Sequence, residues 1–232
     1  MSGTPTRVLK NWNDPLGAHK TRRAVRDASN KNSAKCTPVT KYYVLVAAQN
    51  SSYLDAAARL HEMCLRDTVT SARGQRNIQY SYNHLTHHGH TVYVLTEEET
   101  VVGGLVVVAS NRRYSPLALL LHRPESWILA IRRLGFSDLF SKLRDFLAVR
   151  RQARTLKNHD YIVALFVDEG VRRQGLARQL LERAINDSSA RGVGLAVDTA
   201  LSNVAAQTLY ASLGFVGRSR TSRSVILTRS LE

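Results

Sequence analysis

Residues 170–177, Gly-Val-Arg-Arg-Gln-Gly-Leu-Ala, set two glycines and two arginines between an apolar run ending at Val167 and a helix-forming stretch from about Leu176. A strand-to-helix turn of this kind leaves the first helical N–H groups without internal acceptors. It points them, with the positive end of the helix dipole, at one spot where an anion fits. The spacing covers half of a phosphate-binding P-loop, but Leu176 and Ala177 stand where a lysine and a serine or threonine would be required. With neither the phosphate-reading amine nor the magnesium-binding hydroxyl, nucleoside triphosphate hydrolysis is disfavoured. Glycine at 175 allows close approach of the backbone to a ligand, and Arg172 and Arg173 add positive charge beside it.

Arg172, Gly175 and Ala177 also fill the three defining places of a Q/R-x-x-G-x-G/A signature. A second segment follows at residues 203–215, Asn-Val-Ala-Ala-Gln-Thr-Leu-Tyr-Ala-Ser-Leu-Gly-Phe. The pair resembles the GCN5-related N-acetyltransferase (GNAT) superfamily, in which the turn is the pyrophosphate loop for coenzyme A after the fourth strand and the later segment reads N-x-x-A-x-x-x-Y-x-x-x-G-F. The first signature alone has little specificity; the two at this separation have much more. The resemblance covers roughly residues 42–228 and departs at Glu169, where many relatives carry proline. It implies acetyl-CoA as co-substrate and no metal. It also implies a coenzyme site made of Phe166 and Val167 at the strand end, Arg172, Arg173, Gln174, Gly175, Leu176 and Ala177 in the loop, and Asn203 and Tyr210 beyond it. The strand ending at Phe166 and Val167 is implied to splay from its neighbour, so that its backbone pairs with pantetheine and one N–H faces the acetyl oxygen.

Acetyl transfer from a thioester to an amine needs a parked diphosphate, a polarised carbonyl, an unprotonated amine and a proton for the departing thiolate. An N–H aimed at the acetyl oxygen is an oxyanion donor of a kind worth ~2.7–4 kcal/mol. Tyr210 sits where the family places a tyrosine near the coenzyme sulfur, which makes it the expected general acid. A phenol of pKa ~10 protonates a thiolate of conjugate acid ~8.5 only if hydrogen bonding or water stabilises the phenolate left behind. Packing on the coenzyme is the alternative role for Tyr210, and N-capping of the last helix is the alternative for Asn203. For the proton of the amine, Asp160 at a strand edge stands first, with His159, Asp198 and a chain of water molecules as the other candidates.

The elements that must position these residues are legible as apolar periods. Residues 42–47, 91–96, 101–109, 161–167, 194–199 and 224–228 read as strands, with a hairpin about Glu97, Glu98 and Glu99. Helices are expected over 54–65, 77–85, 176–190 and 203–212. Residues 115–152 depart from the strand pattern: apolar residues at helical spacing, broken by Gly135 and resumed behind a capping Ser137, predict a basic amphipathic helical hairpin between the third and fourth strands. The expected fold is an α/β, GNAT-like domain over residues 42–232, with a central, mostly antiparallel, splayed sheet flanked by helices. Residues 1–41 form a basic tail expected to be disordered.

The chain has 232 residues, a formal net charge of +15 and 44% apolar residues. The apolar share is enough for a packed core and excludes wholesale disorder. The positive excess is local, with nine basic against two acidic residues in 1–41 and eleven against three in 110–159. Residues 42–109 and 160–232 are near neutral. Cys36 and Cys64 form no framework, which points to reduced thiols in the cytoplasm. His84, His87, His88 and His90 lack a cysteine or carboxylate partner at metal-binding spacing and read as structural. Expected partners are a small-molecule or protein amine acceptor, a homodimeric copy, and a weak contact of the tail and inserted helices with an anionic surface, which would make the protein peripheral at a membrane. The rival reading is a non-catalytic basic module that binds nucleic acid or membrane surfaces on a degenerate GNAT fold.

Overall fold

Continuous apolar runs that are covered on both faces build the centre of an eight-stranded sheet. The computed structural model describes residues 19–22, 42–48, 50–110, 124–153 and 155–231. In chain order the elements are β1 (His19–Arg22), β2 (Tyr42–Ala47), α1 (Ser51–Cys64), α2 (Val69–Ala72), α3 (Gln75–His87), β3 (Thr91–Glu97) and β4 (Thr100–Val108). They continue with α4 (Ser126–Leu134), α5 (Phe136–Ala153), β5 (His159–Val167), α6 (Leu176–Ala190), β6 (Gly194–Ala200), α7 (Val204–Ala211), β7 (Val216–Arg220) and β8 (Ser224–Arg229). The spatial order is β1-β2-β3-β4-β5-β6-β8-β7. Every neighbouring pair is antiparallel except β5 and β6, which run parallel.

Each face of the sheet has its own core. On one, Leu180, Leu181 and Ala184 of α6 pack on Leu95, Leu105, Ile162 and Val197. On the other, Leu54, Ala57 and Ala58 of α1 and Ile78 of α3 cover Val92, Val94, Val106 and Phe166. Small residues on α1 let that helix approach the strands closely. A third cluster joins Val69 and Ala72 of α2 to Ala130 of α4 and Leu139 of α5. Buried Arg73 supports this junction: its Nε donates to Ser126 Oγ at 2.8 Å and its guanidinium lies 4.5 Å from the centroid of a Trp127 ring. Burial lowers its pKa to about 10, still far above neutrality, so the cation persists and faces the aromatic ring.

Several boundaries differ from expectation for local reasons. Helix α1 begins at Ser51 because Asn50 caps it, its side chain accepting from Ser52 N–H at 3.1 Å. Gly135, at φ 75°, both ends α4 and allows α5 to start at Phe136, so Ser137 lies inside the first turn and is not its cap. The four-residue strand β1 and the short α2 were not anticipated. Residues 1–18 and 23–41 of the expected tail, and 111–123 of the region around the expected insertion, lie outside the described residues.

Strands β4 and β5 meet with almost no room between them. A Cβ on Gly104 would sit 2.4 Å from the Phe166 ring, which occupies the space a side chain would need. Replacing Gly104 with alanine is therefore expected to destabilise the fold by about 1–3 kcal/mol, measured by urea unfolding. A change below a few tenths of a kcal/mol would show that the ring can move aside.

Candidate active site

The two parallel strands hydrogen-bond only along part of their length. The β5–β6 ladder runs from His159↔Gly194 to Ile162↔Val197 and stops. The next residue, Val163, is a β-bulge: Val106 and Val107 of β4 face Ala164 and Ile162, leaving Val163 without an opposite number. A bulge adds local twist and redirects its strand. Beyond it, residues 164–167 stay with β4, while Asp198, Thr199 and Ala200 stay with β8. A wedge opens between β5 and β6 toward the C-terminal end of β5.

Backbone alternation decides which groups face this wedge. Asp168 N–H donates to Val102 C=O at 2.8 Å, and the register on β4 then assigns the N–H groups of Phe166 and Ala164 to β4 as well. Leu165 and Val167 are left facing the opening. The Phe166 amide belongs to the ladder with β4 and its ring is buried over Gly104. Leu165, with no signal of its own in the sequence, is the residue before it whose backbone faces the opening. The Val167 carbonyl already accepts from Arg172 Nε at 3.1 Å and from Cys64 Sγ at 3.5 Å.

The turn after β5 uses its first amides internally and leaves those at the start of α6 without intrahelical acceptors. Asp168 caps a single 3-10 turn, Glu169–Val171, by accepting from Gly170 N–H at 2.8 Å. Arg173 (φ 64°) and Gly175 (φ 78°) both occupy the left-handed region, a backbone form that gathers successive N–H groups into an anion-binding concavity. Gly175 is the N-cap of α6 without a side chain to cap it, and the first helical donor to find an acceptor is Gln179, bonded to Gly175 C=O at 3.1 Å. The N–H groups of Leu176, Ala177 and Arg178 thus have no intrahelical acceptor. Arg172 does not reach over this cradle. It ties the loop back to Val167 and pairs with Glu169 at 3.1 Å, which leaves Arg173 as the exposed cation at the loop.

Tyr210 projects from α7 into the core shared with α6, its ring 5.6 Å from that of Phe215. Burial, and secondarily the Asp198 carboxylate, raise its pKa well above the ordinary phenol value, so it stays protonated at neutral pH. Among the described residues its hydroxyl has no hydrogen-bond partner. Asn203 caps α7, its Oδ1 accepting from Ala206 N–H at 3.1 Å.

A family model for the "Acetyltransferase (GNAT) family" matches residues 54–215. The chain belongs to this acetyltransferase family. Solved structures that resemble the GNAT chain include the NatC complex bound to Gag peptide and CoA, at 16% identity, TM-score 0.53, and 82% and 99% of the two chains covered. An N-acetyltransferase from Staphylococcus aureus Mu50 aligns at 15% identity, TM-score 0.52, over 82% and 99% of the chains. The yncA protein of Salmonella typhimurium with its cofactor acetyl-CoA aligns at 17% identity, TM-score 0.51, over 82% and 94%. These likenesses establish the shared fold. No curated protein matches by sequence.

Within this GNAT domain the acid–base candidates separate in space. Asp160 lies at the opposite end of β5 from the loop; the seven residue steps from Asp160 to Val167 span roughly 23 Å at ~3.3 Å each. It is 1% exposed and accepts from Ser110 N–H at 2.8 Å, Ser188 Oγ at 2.9 Å and Arg191 Nη2, which anchors the far end of α6. The structure therefore does not bring Asp160 to the wedge. His159 sits beside it, its Nδ1 2.9 Å from Lys157 C=O. Asp198 is different: it follows Val197, the last β6 residue on the β5 ladder, so it stands at the apex of the wedge, half-buried, accepting from Tyr161 OH at 2.6 Å.

Beneath the wedge, on the α1 and α3 side, His61 lies fully buried. Its Nδ1 is 2.5 Å from Tyr82 OH, its ring is 5.3 Å from that of Phe166, and its Nε2 has no partner among the described residues. Burial lowers its pKa to about 4. An unfolded imidazole titrates near 6.5, so between these values the unfolded chain binds a proton that the native one excludes. Stability is then highest above about pH 6.5 and falls as pH drops toward 4. We expect a loss of about 2 kcal/mol between about pH 7 and pH 5 from this residue. His61→Gln should remove that slope in pH-dependent unfolding; an unchanged slope would place its origin elsewhere.

Proposed function

We propose that this protein transfers the acetyl group of acetyl-CoA to a primary amine, on a small molecule or a protein, by direct attack. The observation that carries the reading is the wedge at Val163, which leaves the Leu165 and Val167 N–H groups facing an opening beside the Leu176, Ala177 and Arg178 N–H groups, which have no intrahelical acceptor. The fit to the co-substrate rests on three features of the chain. The left-handed turns at Arg173 and Gly175 form a concavity of donors suited to a diphosphate. Arg173 adds a cation. The open edge of β5 offers the Leu165 N–H and C=O and the Val167 N–H to the amides of a pantetheine arm.

Acetyl-CoA supplies an activated thioester. The chain's own groups do the rest. The Val167 or Leu165 N–H polarises the acetyl oxygen and stabilises the charge that develops on it. The wedge apex receives the amine, and Asp198 is the carboxylate placed to take its proton, directly or through water. Asp160 drops out of this role because both its oxygens are engaged far from the wedge. Tyr210, kept protonated by burial, is the donor for the departing thiolate. Because burial and Asp198 disfavour the phenolate, the proton that Asp198 takes from the amine must return to Tyr210 through water as the thiol leaves. The neutral core around both faces of β5 excludes bulk water, which strengthens each of these dipoles.

The rival, non-catalytic reading has no support in this geometry, since loop and wedge are both present. A cytoplasmic setting, where coenzyme A and a reduced Cys64 coexist, belongs to the same proposal. A homodimer has no observation in one chain to support it. Contact with an anionic surface has the exposed side of α4 and α5 in its favour.

Two measurements test the reading. Gly175→Val forces a branched side chain into a left-handed position, a penalty of ~1–2 kcal/mol before any contact with ligand. Calorimetry should show acetyl-CoA affinity lowered by about tenfold or more, and an unchanged affinity would remove the loop from the site. Tyr210→Phe should lower kcat by about a hundredfold or more with little change in the KM for acetyl-CoA, followed by thiol release over a panel of amines. If kcat holds and only KM rises, Tyr210 packs on the coenzyme and donates no proton.

A further inference from the structure

Ten large apolar side chains are exposed among the described residues, and six of them lie on the consecutive helices α4 and α5, so the exposure is concentrated and not scattered. On α5, positions 136, 140, 144, 147 and 151 recur at helical spacing and fall along one side. They carry Phe136, 72% exposed, Phe140, 61% exposed, Arg144, Leu147 and Arg151, all exposed. The opposite side of the helix is fully employed: Leu139 packs with Val69 and Ala72 of α2, and Val149 is buried. The fold therefore needs nothing from the outer stripe.

The acids of α5 are withdrawn from it. Asp145 accepts from Thr221 Oγ1 at 2.9 Å and Ser224 Oγ at 3.0 Å, and Asp138 pairs with Lys142 at 3.6 Å. Arg144 and Arg151 have no ion-pair partner among the described residues. What faces solvent is a line of apolar groups interleaved with uncompensated cations, and across Gly135 the exposed Ile131 and Arg132 of α4 continue the same character.

We propose that this stripe docks the protein onto an anionic bilayer surface, with Phe136, Phe140 and Leu147 entering the headgroup–acyl boundary and the arginines meeting lipid phosphates and carboxylates. The chemistry selects this occupant. A nucleic acid would engage the arginines but not the aliphatic Leu147 and Ile131. A second copy packed stripe on stripe would bury Arg144 and Arg151 with no carboxylate on the stripe to pair them. Among the described residues no helix is long and apolar enough to cross a membrane, so the contact is peripheral. The inference stands apart from the transferase reading.

The test is co-sedimentation of the full chain with vesicles of phosphatidylcholine alone and of phosphatidylcholine mixed with phosphatidylserine. Partitioning onto the phosphatidylserine vesicles is expected, weakened about fivefold by each of Arg144→Gln and Arg151→Gln. It should be abolished by Phe136→Ser with Phe140→Ser, and reduced by Phe136→Ser alone, with thermal unfolding of every variant matching the parent. Three results would overturn the proposal. One is no partitioning onto anionic vesicles. The second is partitioning that ignores these substitutions and disappears only on deletion of residues 1–41. The third is a concentration-dependent dimer dissolved by the phenylalanine changes.

Discussion

Parallel strands β5 and β6 share hydrogen bonds over four residues and then part, and the site depends on that separation. An extended strand inside a sheet has both edges occupied, so it has no backbone donors to offer a ligand. The extra residue at Val163 changes this by turning β5 toward β4 while β6 remains with β8. One strand end then keeps a complete ladder on one edge and an open one on the other. The cost of unpaired amides is bearable because they face an opening, where water or a ligand can satisfy them. The loop at Gly175 follows within a few residues, so two sets of donors meet at the same end of the sheet.

Rigidity for this arrangement comes from charges that at first look catalytic. Asp160, with Ser188 and Arg191, fastens the C-terminal end of α6 to the start of β5. Tyr93 of β3 donates to Asp187 of the same helix at 2.7 Å, and Arg183, one turn earlier in α6, donates to that carboxylate at 2.8 Å. The Asp160 and Tyr93 contacts hold to the sheet the helix whose other end forms the cradle. A buried carboxylate with several donors is a positioning device, and its distance from the loop is what makes it useful for that task.

Much of the site was legible from spacing because its parts are local. The glycines and arginines of residues 170–177, and the Asn203, Tyr210 and Phe215 run, lie each within one turn and helix, so their order in sequence is nearly their order in space. The bulge left no mark: Val163 is one valine in an uninterrupted apolar run, and only pairing with β4 reveals it as supernumerary. For the same reason the spacing does not distinguish Leu165 from Phe166, since the face and edge of each residue depend on counting from the bulge. Asp160 reads from the sequence as a strand-end carboxylate because its partners come from a helix end some 30 residues away. The sequence also could not show which aromatics of the basic helices are free. Trp127 packs against Arg73 and Phe146 is partly buried in the third cluster, whereas Phe140 stands in solvent.

Co-crystallisation with acetyl-CoA tests the central claim most directly. The account predicts the diphosphate within hydrogen-bonding distance of the Gly175 to Arg178 amides, and the pantetheine amides paired with Leu165 across an open β5–β6 wedge. A coenzyme bound elsewhere, or a β6 strand that closes onto residues 164–167 and fills the opening, would contradict it.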